Sequence, residues 1–349
     1  LKREETGGGM QAVDLARVAE WMQDHVPGFY GPLQAEQFEQ GQSNPTFRLD
    51  SPSGRYVLRR KPPGKLLKSA HAVDREFRVQ SALAGTGVPV PRMLAFCQDD
   101  AVQGSAFYIM EHVAGRTLVE PDLPGEALTG RAAIMDEMNR VLAALHSLDP
   151  VRLGLSDYGA PGNYYERQQV RWTGQYRASE TERQPDMEAL ITWLERAVPA
   201  DDGQRTLVHG DFRLDNLLFA PEGAACRAVL DWELSTLGHP HADLAGVLMQ
   251  WQLPPGPETR GLAGVDRAAL GLPSDQAFVT SYCARRGIDG IGNLGFCVAF
   301  AFFRMAAILQ GVRKRALDGT AANPEKGLKL GAYVPTFAAM GLEARHGYG

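Results

Sequence analysis

Residues 207–233 hold the densest chemistry in the chain: L-V-H-G-D-F-R-L-D-N-L-L-F, a short turn, then A-V-L-D-W-E. His209, Asp211 and Asn216 precede one apolar run at 217–219, and Asp231 follows a second at 228–230. The turn between them, 220–225, carries Pro221 and Gly223, which supply the fixed and the permissive dihedrals of a reversal. This pattern predicts a β-hairpin whose two ends bring acid and amide oxygens to one spot. Such hard oxygen donors suit Mg²⁺, which takes few ligands from protein and the rest from phosphate and water.

H-G-D-F-R-L-D-N followed by L-D-W-E resembles the catalytic and metal motifs of the aminoglycoside-phosphotransferase family, a small-molecule branch of the protein-kinase-like fold. The interval from Asp211 to Asn216 matches that of the kinase pattern H-R-D-x-x-x-x-N. The resemblance implies that Asp211 is the base orienting the acceptor hydroxyl and that Asn216 and Asp231 are magnesium ligands. It also implies that Arg213 lies near the transferring phosphate and that His209 braces the loop. ATP and Mg²⁺ are the cofactors this implies. The implied fold is α+β and bilobal: a small β-rich N-lobe with one regulatory-type helix, residues 10–114, and a larger, mainly α-helical C-lobe, residues 115–349.

The elements that must position these groups can be read in order. Asp14 is placed to cap a helix running to about His25, with Leu15, Val18, Ala19 and Met22 at helical spacing. Extended segments follow at 35–40, 46–50 and 55–60. The turn G-Q-S-N-P-T-F stands where the family covers ATP phosphates, so Gly41, Ser43 and Asn44 are candidates to offer backbone N–H groups; alone it also reads as an ordinary hairpin turn. In R-Y-V-L-R-R-K, alternation puts Val57 and Arg59 on one face, Val57 toward adenine and Arg59 toward phosphate. Arginine here departs from the family's lysine, and Arg60, Lys61 or an exposed basic edge strand remain alternatives. A helix at 70–84 carries Glu76, in the place of the glutamate that pairs with the strand cation. Residues 104–115 resemble the fifth strand and hinge, with Met110 behind the adenine and the backbone of Glu111 to Val113 at its edge; a plain core strand is the other reading.

Beyond residue 115 the pattern turns helical, at 128–148, 187–198, 244–251, 276–285, 294–317 and 328–342. Residues 162–179 mix Tyr164, Tyr165, Trp172 and Tyr176 with Arg167, Arg171 and Arg177, which suits either amphipathic packing or a pocket for an anionic, CoA-like substrate. His146 reads as structural. Asp243 resembles the aspartate that bonds back to the catalytic loop, and His239 and His241 read as loop structure rather than a metal pair. Gly210 replaces the arginine that in protein kinases receives a phosphate, and eleven residues separate Asp231 from Asp243. That leaves no room for a peptide-docking segment or a phospho-switch, so the expected acceptor is a small molecule.

With 349 residues, 44% hydrophobic and net charge −5, the chain suits one large or two modest packed units, with no global attraction for nucleic acid or an anionic membrane. Four cysteines without a C-x-x-C pair fit reduced thiols in the cytoplasm. The first ten residues lack the apolar core of a secretory signal. The apolar run 294–309 is interrupted by Arg304 and is shorter than a bilayer span, so it is expected to be a buried helix. The wider matches, V-L-R-x-K-P-P-G-K-L-L-x-S-A-H and L-D-W-E-L-S-T-L-G-x-P-x-A-D-L-A, are similar to a subgroup whose kinase-like domain is also fused to acyl-CoA dehydrogenases in animals. This subgroup implies phosphorylation of a hydroxylated acyl-CoA. An aminoglycoside or other amino-alcohol kinase, a non-catalytic nucleotide-binding module and a metal-dependent hydrolase are the rival readings. Oligomeric state is not readable.

Overall fold

The computed structural model describes residues 13–38, 44–62, 72–321 and 323–347. Two compact units are present: one extends to Ala114 and takes in Asp231–Glu233, and the other holds Gly115–Leu230 and Leu234–Gly349.

In the first unit, α1 (Leu15–His25) begins where the Asp14 carboxylate accepts the Arg17 N–H at 3.2 Å. There follow β1 (Gln34–Gln37), β2 (Thr46–Ser51), β3 (Gly54–Arg60), α2 (Val73–Leu83), β4 (Met93–Cys97), α3 (Asp100–Gln103) and β5 (Phe107–Glu111). The strands form one antiparallel sheet in the order β1-β2-β3-β5-β4. Period-two alternation gives this sheet two dry faces. Leu49, Leu58, Phe107 and Ile109 pack with Val18 and Met22 of α1, whereas Val57, Tyr108 and Met110 pack with Val73 of α2. The strand expected at 35–40 is described only as far as β1 and Phe38, and the helix expected from 70 is seen from Val73; Gly41, Ser43 and residues 63–71 lie outside the described residues.

In the second unit, α4 (Leu128–His146) buries the expected stripe of Ile134, Met138, Val141, Leu142 and Leu145. β6 (Arg116–Thr117), β8 (Leu217–Phe219) and β9 (Cys226–Val229) make a three-stranded sheet. The last two are the expected hairpin, with β9 starting two residues earlier than the apolar run suggested. A second small sheet pairs β7 (Thr206–Val208) with β10 (Thr236–Gly238). The other helices are α5 (Tyr164–Ser179), α6 (Pro185–Ala197), α7 (His241–Trp251), α8 (Asp275–Arg286), α9 (Leu294–Leu317), α10 (Pro324–Gly331) and α11 (Val334–Ala344). The single helix expected at 328–342 is therefore two. Pro335 in the first turn of α11 lacks the N–H that would continue the helical ladder to Gly331 O, so the helix breaks at Ala332–Tyr333 and restarts.

α9 organises this unit, packing against α5, α6, α7, α10 and α11. At 24 residues it is longer than its apolar run and passes the length and composition test for a membrane span, yet 61% of its most apolar window is buried inside the protein. Phe302 and Phe303 are fully buried. Phe303→Ala is expected to cost roughly 3–5 kcal/mol, as a transfer loss plus an unfilled cavity. The check is the midpoint of thermal or urea unfolding; a shift within error would show that this helix is not the core.

Candidate active site

In the first unit the candidate groups converge on Arg59 of β3. Its Nε lies 2.8 Å from Glu76 Oε2, its Nη2 donates to Asp231 Oδ1 at 2.9 Å, and Glu233 Oε2 is 3.8 Å away. Glu76 is 1% exposed, so its charge survives only with partners. Asn44 Nδ2 donates to its Oε1 at 2.7 Å and Tyr108 Oη to its Oε2 at 3.0 Å. Burial holds the Glu76 carboxyl above the usual carboxylate range; Arg59 and these two hydrogen bonds offset part of that, and Asp231 adds to it. Burial likewise opposes the Arg59 charge, but Glu76 foremost, then Tyr108, Asp231 and Glu233, raise it, so the guanidinium stays charged. Asn44 thus has a role that its place in a turn did not suggest: its side chain braces Glu76. Arg60 points to the other face, over the Phe47 ring at 5.6 Å. Val57 and Met110 face each other across β3 and β5. At the end of β5 the Glu111 and His112 N–H groups donate to Arg92 O and Arg55 O, while among the described residues the Val113 N–H has no backbone acceptor. Asp231 has φ +64°, a left-handed conformation few L-residues adopt.

In the second unit, β7 and α7 fix the loop that carries His209 to Asn216. The Asp243 carboxylate, in the first turn of α7, accepts the N–H groups of His209 at 2.6 Å and Gly210 at 2.8 Å. His146 Nε2 lies 3.3 Å from the same carboxylate, with its Nδ1 2.8 Å from Tyr282 Oη. Burial pulls the Asp243 carboxyl up, but His146 and the His209 amide hold it below the usual range. The His209 ring accepts the Asp211 N–H at Nδ1 (3.3 Å), so Nε2–H donates to Leu230 O at 2.8 Å. Asn216 Nδ2 donates to Asp211 O at 2.8 Å and Oδ2 at 3.2 Å, which leaves its Oδ1 as the end of the amide available to a cation. Leu230, the residue before Asp231, donates its N–H to Asn216 O at 2.9 Å. Gly210 has φ +85°, and a Cβ there would lie 2.6 Å from Leu234 O. Sterics thus account for the missing arginine.

Three charged residues went unread in the sequence. Arg213 sits 3.3 Å from Asp211 and also donates to Asp215 Oδ2 at 3.1 Å, and Arg260 donates to that same oxygen at 2.5 Å. Asp215 is visible in R-L-D-N, but nothing in its spacing separates it from a surface acid. Arg304 donates to Gly210 O at 2.9 Å and lies over the Trp172 ring at 5.6 Å. A charge midway along the greasiest helix was its sequence signal.

A cavity of about 340 Å³ opens within this unit beside Asp211, Arg213 and Arg304. Most of its wall is apolar, with Met249, Phe300, Met305, Ile308 and Phe337 among its lining. The aromatic–arginine segment divides its labour: Tyr165 and Tyr176 are buried in packing, and Arg177 pairs with Glu188, whereas Tyr164 borders the cavity. His239 Nε2 lies 3.3 Å from Asp202, and among the described residues neither ring nitrogen of His241 has a hydrogen-bond partner. Among the described residues no group of three or more His, Cys, Asp or Glu side chains is arranged to hold a metal.

The profile of the phosphotransferase enzyme family, APH, matches residues 34–274. The chain is 49% identical over 294 residues, 84% of its length, to the mouse protein named acyl-CoA dehydrogenase family member 10. It spans under half the length of the curated relatives it matches, 27% of that one. A Ralstonia eutropha protein assigned to the aminoglycoside phosphotransferases superposes with a TM-score of 0.89 at 49% identity, covering 96% of this chain and 99% of that one. A thermostable mutant of aminoglycoside phosphotransferase APH(4)-Ia, solved with ADP and hygromycin B, shares the fold at TM-score 0.61 and 15% identity over 94% of this chain and 98% of that one.

The buried histidines make the second unit acid-sensitive. Burial lowers His146, His239 and His241, the last to about 3. The unfolded chain takes up protons near pH 6.5, where these folded side chains still refuse them. Stability is therefore lost as pH falls below about 6.5, by up to about 1.4 kcal/mol per pH unit per histidine, until each folded value is reached. His241→Phe is expected to keep neutral-pH stability and to flatten the fall of the unfolding midpoint between pH 6.5 and 4. An unchanged slope would count against this assignment.

Proposed function

The chain belongs to the phosphotransferase enzyme family, and on that premise we propose that it is a Mg²⁺–ATP-dependent kinase that phosphorylates a hydroxyl of a small molecule, with a hydroxyacyl-CoA as the favoured acceptor. The observation that carries this reading is the largely apolar cavity ending on Asp211. An acceptor bound there presents its hydroxyl to a carboxylate whose orientation Asn216 and Arg213 hold. Use of ATP is supported by the ADP complex of the fold neighbour. Asn216 Oδ1 and the Asp231 carboxylate are hard oxygen donors that fit Mg²⁺, which would neutralise phosphate charge when bound.

The chemistry asks mainly for positioning and charge. The acceptor oxygen forms a bond to the γ-phosphorus, the bond to the bridging oxygen of ADP breaks, and the hydroxyl proton passes to Asp211. Arg213 would offset charge on the transferring group, and Arg59, held by Glu76, would meet the remaining phosphates. Val57 and Met110 would wall the adenine, with the Val113 amide at its edge.

Charge supports the choice of acceptor class. A cationic amino sugar needs several free carboxylates, but Asp243 is buried and spent on two amides, and Asp211 is held by Arg213 and Asn216, which leaves Glu258 at the rim. The wall instead offers apolar surface and Arg304, with Arg171 also over Trp172 at 5.2 Å. An acyl chain ending in an anionic carrier suits that environment better.

Asp211→Ala is expected to fold and bind Mg²⁺–ATP while turnover drops about 10²–10⁴-fold; near-normal turnover would remove Asp211 from this role. Asp231→Ala should lose the Mg²⁺-dependent part of ATP affinity, measured by calorimetry with and without the metal. The acceptor is tested by ADP release across hydroxyacyl-CoAs and amino sugars. Response to the former is expected, and silence from every hydroxyacyl-CoA would overturn this choice.

A further inference from the structure

The catalytic loop carries a charge problem that its own residues do not solve. Asp211 and Asp215 are both carboxylates, and Arg213, the cation between them, reaches one at 3.3 Å and the other at 3.1 Å. Left alone, this trio has a net charge of −1, beside the place where a phosphate must arrive. The missing positive charge comes from outside the loop. Arg260 Nη1 donates to Asp215 Oδ2 at 2.5 Å, on the same oxygen that Arg213 holds, and the Asp215 side chain is only 13% exposed.

The segment that delivers Arg260 is built for it. Gly261 N–H bonds Pro254 O at 3.1 Å and Ala263 N–H bonds Leu253 O at 3.0 Å, closing the chain on itself. A Cβ on Gly261 would sit 1.8 Å from Leu253 O, so the closure requires glycine. Arg260 itself holds φ +51°, a conformation a non-glycine residue keeps only where its surroundings impose it. On the same segment Glu258 and Thr259 line the cavity, and Glu258 accepts the Tyr333 hydroxyl at 3.2 Å.

We propose that Arg260 is a positioning residue for phosphoryl transfer: by neutralising Asp215 it frees the Arg213 guanidinium to stay beside Asp211 and meet the incoming phosphate, and it ties that state to the segment that walls the acceptor cavity. The proposal rests on the kinase reading above. Without Arg260, Asp215 attracts Arg213 with both oxygens and draws it from Asp211.

The decisive set is Arg260→Gln, Arg260→Lys, Asp215→Asn and the Asp215→Asn/Arg260→Gln pair. Crystal structures test the relay without any turnover: Arg213 is expected to leave Asp211 for Asp215 in Arg260→Gln, and to return in the pair. An Arg213 unmoved in Arg260→Gln overturns the proposal. In ADP release, Arg260→Gln should lower kcat about 10–100-fold with the KM for ATP changed less than about threefold. Arg260→Lys should retain a third or more of kcat, and the pair should recover to within about threefold of wild type. A merely structural role for Arg260 would give no recovery on removing the Asp215 charge, and that result also overturns it. A wild-type protein that releases no ADP with any acceptor would sink the kinase reading instead, leaving the structural comparison to decide the relay.

Discussion

The loop of residues 209–216 in the second unit depends on one buried carboxylate. Asp243 is 3% exposed, and a charge removed from water to that degree costs several kcal/mol unless polar groups surround it. It finds two backbone amides, His209 and Gly210, and the His146 ring. Its place in the first turn of α7 adds the helix's favourable end. The exchange is mutual: the amides satisfy the charge, and the charge fixes the backbone just before Asp211. From there the order spreads through the His209 ring to Leu230 O and through the Leu230 N–H to Asn216 O, so the hairpin ends are set by bonds to the main chain.

Arg59 has the equivalent position in the first unit, and arginine brings something lysine would not. A guanidinium presents donors in a planar fork, so one side chain contacts Glu76 with Nε while Nη2 reaches Asp231. The ammonium of lysine is a compact point charge. Here the cation stands in the middle of three acids, and the two hydrogen bonds Glu76 receives from Asn44 and Tyr108 keep that helix acid from competing for more of it.

Much of this was legible in the chain. Alternation in R-Y-V-L-R-R-K separates Arg59 from Arg60, and the structure has them on opposite faces. Helical periodicity picked out the buried stripe of α4, and turn residues gave the β8–β9 hairpin. The Arg59–Glu76 contact was readable only through the family resemblance, because it joins a strand and a helix that share no local periodicity. β4, β6, β7 and β10 were missed; the last three, of two or three residues, carry too few alternations to register. Asp215 and Arg260 are 45 positions apart, and no spacing rule reaches across such a gap. The break between α10 and α11 had a local cause in Pro335, outweighed in the reading by the apolar residues on either side.

Asp231 sits at φ +64°, where glycine and asparagine rest more easily than most residues and where the backbone cost is about 1 kcal/mol. The position is thus held against a conformational preference. A laboratory selection for heat resistance alone would be drawn to this codon, trading its carboxylate for a relaxed backbone. What holds Asp231 there is its ion pair: a glycine would relax the backbone and leave Arg59 to Glu76 and Glu233 alone.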